Sequence, residues 1–434
     1  MKTCTLQSLQ SCLKNNMRDI IADANSIIKD IIVENMPTEA VINALQEHKF
    51  SGRIHLIAIG KAAWTMAKAA SDCLGDRLVQ GIVVTKYEHS RGVLPRIAIY
   101  EAGHPVSDEN TIAATEKCIE LAASLSAEDE LLFLVSGGGS ALFEKPMDGI
   151  SLSDVQNISS QLLECGADIV EINMIRKRLS AVKGGRFAML AALCRIFSIV
   201  LSDVLGDRLD TIASGPAAPD YSTVEDALRV IEKYNLKLTE HQRKYLMVET
   251  PKEIINVETV ITGSVRTLCE SVKKSAELLG YTPFVLTTTI NCEAKEAGRL
   301  LSSIAADICS GNSSIQRPCA IIAGGETVVT LNKNGLYGKG GRNQELALAA
   351  AYGIADLKDV VIFSLGSDGT DGPTDAAGGI VDGMSFGKLK AQGLDAEKIL
   401  ANNDSYHGLQ AIGALIITGP TGTNVNDVSV ILCK

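Results

Sequence analysis

Apolar residues along the chain follow two alternating rhythms. Short aliphatic runs end abruptly at glycines or charges, and between them lie longer stretches in which apolar residues return every third or fourth position. The first rhythm predicts buried strands and the second amphipathic helices. Strand-length runs occupy residues 54–59, 81–85, 97–100, 131–135 and 196–201 in the first half. In the second half they occupy 259–263, 282–288, 320–323, 360–365 and 414–418. Uninterrupted aliphatic runs suit parallel strands covered on both faces by helices. The expected class is therefore α/β, as two three-layer α/β/α domains with mostly parallel sheets. Met17, Ile20, Ile21, Ala24, Ile27, Ile28 and Ile31 keep helical spacing up to a break near Pro37, so most of the first fifty residues should be helix covering a sheet. A polar stretch around 233–251 marks the expected boundary, giving a Rossmann-like domain at 1–240 and a second α/β domain at 241–434.

Composition narrows the function. A length of 434 residues exceeds one ordinary core. With 46% hydrophobic and only 4% aromatic residues, plus 38 glycines, the chain has the makings of aliphatic sheets joined by tight loops. A net charge of −10 with no extended basic run argues against a nucleic-acid partner. The eleven cysteines form no C-x-x-C pair and read as reduced core thiols of a cytoplasmic protein. No apolar stretch reaches the length of a membrane span.

The candidate chemistry lies where strands end. Residues 54–59 run into Gly60-Lys61 and then a helix, a phosphate-friendly order without the longer P-loop spacing; Lys61 reads equally as a ligand-facing ammonium or as a solvated helix-start charge. The run 131–135 ends in Ser136-Gly137-Gly138-Gly139-Ser140, whose successive N–H groups can form an anion-binding nest. His104, in a turn after the third strand, is expected to line the site. Residues 168–187 hold the densest basic cluster, with Asn173 and Arg176 on its helical part; a solvated helix face is the usual meaning of such a run, but Lys183-Gly184-Gly185-Arg186 couples cations to flexible backbone and is a second candidate substrate clamp. Asp203 and Asp207 follow the strand 196–201 and suit Mg²⁺ or a substrate hydroxyl. In the second half, Gly338, Gly340 and Gly341 are expected to turn with positive φ before a helix that starts at Arg342, where free N–H groups and a guanidinium would make an anion site. Asp368 and Asp371 sit in a further glycine-rich loop.

Taken in order, GKAAWTMAKA, GHPVSDEN, SGGGSALFEKP, IRKRLSAVKGGR, SDVLGDRLDTIASGP, GGETVVTL, GKGGRNQELAL, GSDGTDGPTDAAG and GPTGTNVNDV make the chain resemble the class II glycerate 2-kinases, whose C-terminal half is the MOFRL domain. The resemblance implies transfer of the γ-phosphoryl group of ATP to the 2-hydroxyl of D-glycerate, with Mg²⁺. It implies an interdomain cleft and catalytic roles there for Lys61, Asp203 and Arg342, with Asp207 as a second carboxylate, and tentative metal binding by Asp203 and Asp207. Substrate or nucleotide contacts are expected from Gly60, His104, Ser136 to Ser140, Asn173, Arg176, Lys183, Glu326, Gly340, Gly341, Asn343, Glu345, Asp368 and Asp371. The expected partners are D-glycerate and ATP, with neither nucleic acid nor membrane, in a monomer or homodimer. The rival is an oxidoreductase of the hydroxypyruvate reductase type, against which stands the lack of any G-x-G-x-x-G.

Overall fold

In a computed structural model, described for residues 19–202, 204, 206, 208–332 and 337–434, the chain forms two compact α/β units. One spans residues 37–264, and the other joins 19–36 to 265–434.

The first unit is built on β1 (Arg53–Ile59), β2 (Leu78–Lys86), β3 (Ile97–Ala102), β4 (Asp129–Val135), β5 (Arg195–Leu201) and β6 (Val257–Gly263). All pairings are parallel, in the order β3-β2-β1-β4-β5-β6. Every residue of β4 is buried, which is why its sequence shows no polar alternation. Asp129 and Glu130 tolerate burial there because partners reach them: Arg53 Nε lies 2.8 Å from Asp129, and His48 Nε2 lies 2.7 Å from Glu130. The sheet winds one way from β1 through β2 to β3, and the other way from β4 through β5 to β6. At such a reversal the loops after the two central strands diverge and leave a crevice at their carboxyl ends. Because Ile59 pairs with Val135, Gly60-Lys61 and the glycine run after Ser136 emerge side by side at that place.

The second unit holds β7 (Thr282–Ile290), β8 (Cys319–Gly325), β9 (Val360–Gly366), β10 (Gly378–Asp382), β11 (Leu415–Ile416) and β12 (Asp427–Cys433), in the order β11-β10-β9-β12-β8-β7. Four strands share one direction while β10 and β12 run against them, so only the β7–β8 pairing is parallel. The helix Arg342–Gly353 is buried from Asn343 to Ala351. The helix Ile20–Glu34 is fastened to this unit, where Tyr281 Oη donates to Asp23 at 2.8 Å and Asn35 Nδ2 to Ser271 Oγ at 3.1 Å.

The α/β class is as expected, and three details depart from the sequence reading. The polar stretch proposed as a boundary carries its own capped helix, Glu240–Leu246, and the chain then returns to add β6 to the first sheet, so the division falls after residue 264 rather than at 240. The first helical segment belongs with the second unit. The second sheet is mixed because β12, a fully buried central strand that had not been recognised, enters it antiparallel to both neighbours.

Candidate active site

Gly60 adopts φ +112°, and a Cβ there would collide with Ser136, so only glycine lets the two loops touch. The Lys61 N–H donates to the Gly137 carbonyl at 2.9 Å, and Ser136 Oγ accepts from the Ala62 N–H at 3.1 Å. Gly138 lies at φ +84°, with Lys61 and His104 packed against its bare Cα: a Cβ would sit 3.0 Å from the His104 ring and 3.2 Å from Lys61 Cγ. Among the described residues the N–H groups of Gly137 and Gly138 make no hydrogen bond, and the Lys61 ammonium has no partner. Burial, then the charges of Lys61 and Lys86, push the His104 pKa down to about 4, so its imidazole is neutral at pH 7. Among the described residues the loop thus presents unused donors and one free cation, the components that an anion site needs.

Ser140, Asn173 and Arg176 adjoin this nest. Arg176 Nη2 donates to the Ser140 carbonyl at 3.3 Å, and Ser214 Oγ joins Ser140 Oγ to Asn173 Oδ1, each at 3.0 Å. The rest of the basic cluster turns inward. Lys183 is fully buried, with Nζ 2.8 Å from the carbonyls of Ser140 and Phe143 and 3.0 Å from Glu144 Oε2. Two hydrogen bonds to loop carbonyls and the ion pair with Glu144 hold it beneath the loop it supports, so the expectation of a ligand contact from Lys183 is corrected to one of scaffolding. Burial pushes its pKa down to about 8 although Glu144 opposes this. Lys183→Met should therefore leave a buried, uncompensated Glu144, costing about 3–5 kcal/mol. A chemical denaturation curve superimposable on that of the unaltered chain would contradict this account.

The second unit gathers Glu326, Gly340, Gly341, Arg342, Asn343, Glu345, Asp368 and Asp371, but not as an open anion site. Neither Gly338, Gly340 nor Gly341 has positive φ. They are glycines because side chains there would strike Asp404, Ser405 and Asp371 respectively. The first N–H groups of the helix Arg342–Gly353, expected to face a ligand, are capped from within: Asp371 accepts from Asn343 N at 3.2 Å and from Gln344 N at 2.8 Å. Asn343 and Glu345 are buried, and both bond within the unit, Asn343 to Ser364 and Glu345 to Asn403. Asp368 caps its own turn through Thr370 N at 2.9 Å. Arg342 is part-exposed and grips two carboxylates: Nε and Nη2 meet Asp427 at 2.5 and 3.1 Å, and Nη1 meets Glu326 at 2.7 Å. Asp427 was missed because it opens β12. A buried apolar run directly after an Asp, as in β4, was the available signal. Asp203 and Asp207 lie outside the described residues.

Residues 23–247 match a domain of unknown function, DUF4147, and residues 319–427 match the MOFRL family. A D-glycerate 2-kinase of Thermotoga maritima is 51% identical over 405 residues, covering 93% of this chain and 96% of that protein. The chain belongs to the glycerate 2-kinase family. A crystal structure of glycerate kinase from Thermotoga maritima matches it with a TM-score of 0.92 at 50% identity, covering 95% of this chain and 99% of that one. A provisionally named hydroxypyruvate reductase of Agrobacterium vitis is 37% identical over 402 residues, 91% of this chain and 90% of that protein. Membership in the glycerate 2-kinase family thus extends over both units, each with its own loop cluster at the carboxyl ends of buried strands.

Proposed function

We propose that this chain phosphorylates D-glycerate at its 2-hydroxyl with ATP, giving 2-phosphoglycerate and ADP. The observation that carries the reading is the free Lys61 ammonium beside the unpaired Gly137 and Gly138 N–H groups, at the strand-order reversal of the first sheet. Phosphoryl transfer asks a protein for positioning and charge neutralisation more than for covalent chemistry, and this cluster supplies both. A family member that shares half of its residues over nearly the whole chain is named for that reaction. Mg²⁺ enters complexed with ATP as part of the substrate, and Asp203 and Asp207 are its proposed protein contacts, since Mg²⁺ keeps several waters and takes one or two carboxylates besides phosphate oxygens. The same reading places the protein in the cytoplasm as a monomer or homodimer without a nucleic-acid partner. Its free cysteines accord with a reducing compartment, and among the described residues no helix is long and apolar enough to cross a membrane.

The test is a coupled assay of the pure protein with D-glycerate and ATP, scoring 2- and 3-phosphoglycerate separately. ATP-dependent formation of the 2-isomer is the expected result. NADH oxidation with hydroxypyruvate at a comparable rate would replace the kinase reading by the reductase one.

A further inference from the structure

The turn at residues 213–215 is wound left-handed at three successive positions, with φ +50° at Ala213, +62° at Ser214 and +65° at Gly215. Two of the three carry a Cβ, a conformation that persists only where the surroundings enforce it and that concentrates at functional sites. The enforcement comes from two sides. Gly184 and Gly185 donate their N–H groups to the Ser214 and Gly215 carbonyls at 3.0 and 2.7 Å. On the other side Ala213 is pressed against the glycine nest so closely that a Cβ on Gly139 would lie 2.7 Å from its own.

Ser214 is fully buried, and its hydroxyl spans the two ligand-side elements. Its oxygen is 3.0 Å from Asn173 Oδ1, which can only accept, and 3.0 Å from Ser140 Oγ. One hydroxyl carries one proton. If Ser214 donates it to Asn173, it must accept from Ser140. The proton of the half-buried Ser140 is then drawn inward, and the lone pairs of Ser140 Oγ are left for whatever occupies the nest. An oxygen so arranged repels phosphate oxygens and accepts from a hydroxyl.

We propose that Ser214 is a positioning residue that fixes Ser140 Oγ as a hydrogen-bond acceptor for a hydroxyl of the hydroxy-acid substrate. This rests on the kinase reading above and names which of the two substrates the Ser140 side of the nest holds. The chain of donors runs from substrate hydroxyl to Ser140, then Ser214, then Asn173. Phosphate oxygens, which only accept, are left to the donors of the same loop, Lys61 and the Gly137 and Gly138 N–H groups.

The experiment is a double-mutant cycle of Ser140→Ala and Ser214→Ala in the full chain, with KM measured separately for D-glycerate and for ATP. A lost neutral hydrogen bond corresponds to about a 3- to 10-fold effect. Each single variant should raise KM for D-glycerate by about that factor and leave KM for ATP within about twofold. The double variant should be no worse than either single one, because both remove the same contact. Additive effects, a KM change shared equally by ATP, or an unchanged KM for D-glycerate would each overturn the proposal. If Ser214→Ala does not fold, Ser140→Ala, which leaves the strained turn intact, decides alone: no rise in KM for D-glycerate refutes it. Failure of the kinase reading is distinguishable, since the unaltered chain would then form no phosphoglycerate.

Discussion

Lys61→Met is expected to lower kcat/KM for ATP-dependent phosphorylation by about 10²- to 10³-fold while leaving the fold intact. The reasoning starts from what the side chain lacks. Lys183 is consumed by Ser140, Phe143 and Glu144, and Lys177 by Asp210 and Asp220, whereas the Lys61 ammonium, beside the nest, meets no partner among the described residues. An unpaired cation next to unpaired N–H groups can strengthen its contact as negative charge redistributes over a transferring phosphoryl group. Removing one such preorganised contact costs about 2.7–4 kcal/mol in the transition state. Stability should change by no more than about 0.5 kcal/mol, because Lys61 is part-exposed and its structural bond, from N–H to the Gly137 carbonyl, belongs to the backbone. Steady-state rates with D-glycerate and ATP, run beside a thermal melt, check both halves. Turnover close to that of the unaltered chain would reduce Lys61 to a solvated helix-start charge and remove the central observation from the functional reading.

How much of this could be read from the sequence depends on whether a feature is local. The strand runs and the abrupt loops after β1 and β4 are local, since burial on both faces writes itself as an unbroken aliphatic segment and a ligand-facing loop as a cluster of glycines. That a glycine cluster is ligand-facing, however, is not local. The Gly137 and Gly138 N–H groups stay free, whereas Gly340 and Gly341 are small because Ser405 and Asp371 press on them from elsewhere in the chain. The same holds for charge. Arg176 and Lys183 stand seven positions apart in one basic stretch, yet one is part-exposed beside the nest and the other sealed beneath it. β12 is masked by the small polar residues that lead into it, GPTGTNVND, and with it goes Asp427, whose importance appears only when Arg342 is seen to grip it. The switch point itself, which selects the crevice, is a property of strand order that no segment of sequence contains.

On the catalytic role that the family resemblance implies for Arg342, Arg342→Lys should lower turnover by about 10²- to 10³-fold although the charge is kept. Arg342 makes two bonds to the two oxygens of Asp427 and a third to Glu326, a planar fork that a single ammonium cannot reproduce. Burial works against the Arg342 charge, but Asp427 and Glu326 outweigh it and hold its pKa above the ordinary value. Asp427 is pushed the other way. Its burial comes first and the negative charge of Asp371 adds to it, so that even with Arg342 pulling it down its pKa is raised to about 7 from an ordinary 3.8. The sign of the linkage follows. Between those two values the folded chain holds a proton at Asp427 that the unfolded chain has released, so this site withdraws stability as pH rises through about 7. Asp427→Asn removes that titration, and its melting temperature should decline less between pH 5 and pH 8 than that of the unaltered chain. The two variants together separate the roles of the pair. Near-normal turnover in Arg342→Lys would leave Arg342 as a bracket for Asp427 alone, while identical pH slopes in Asp427→Asn and the unaltered chain would mean that Asp427 is already ionised throughout and that Arg342, not burial, sets its charge.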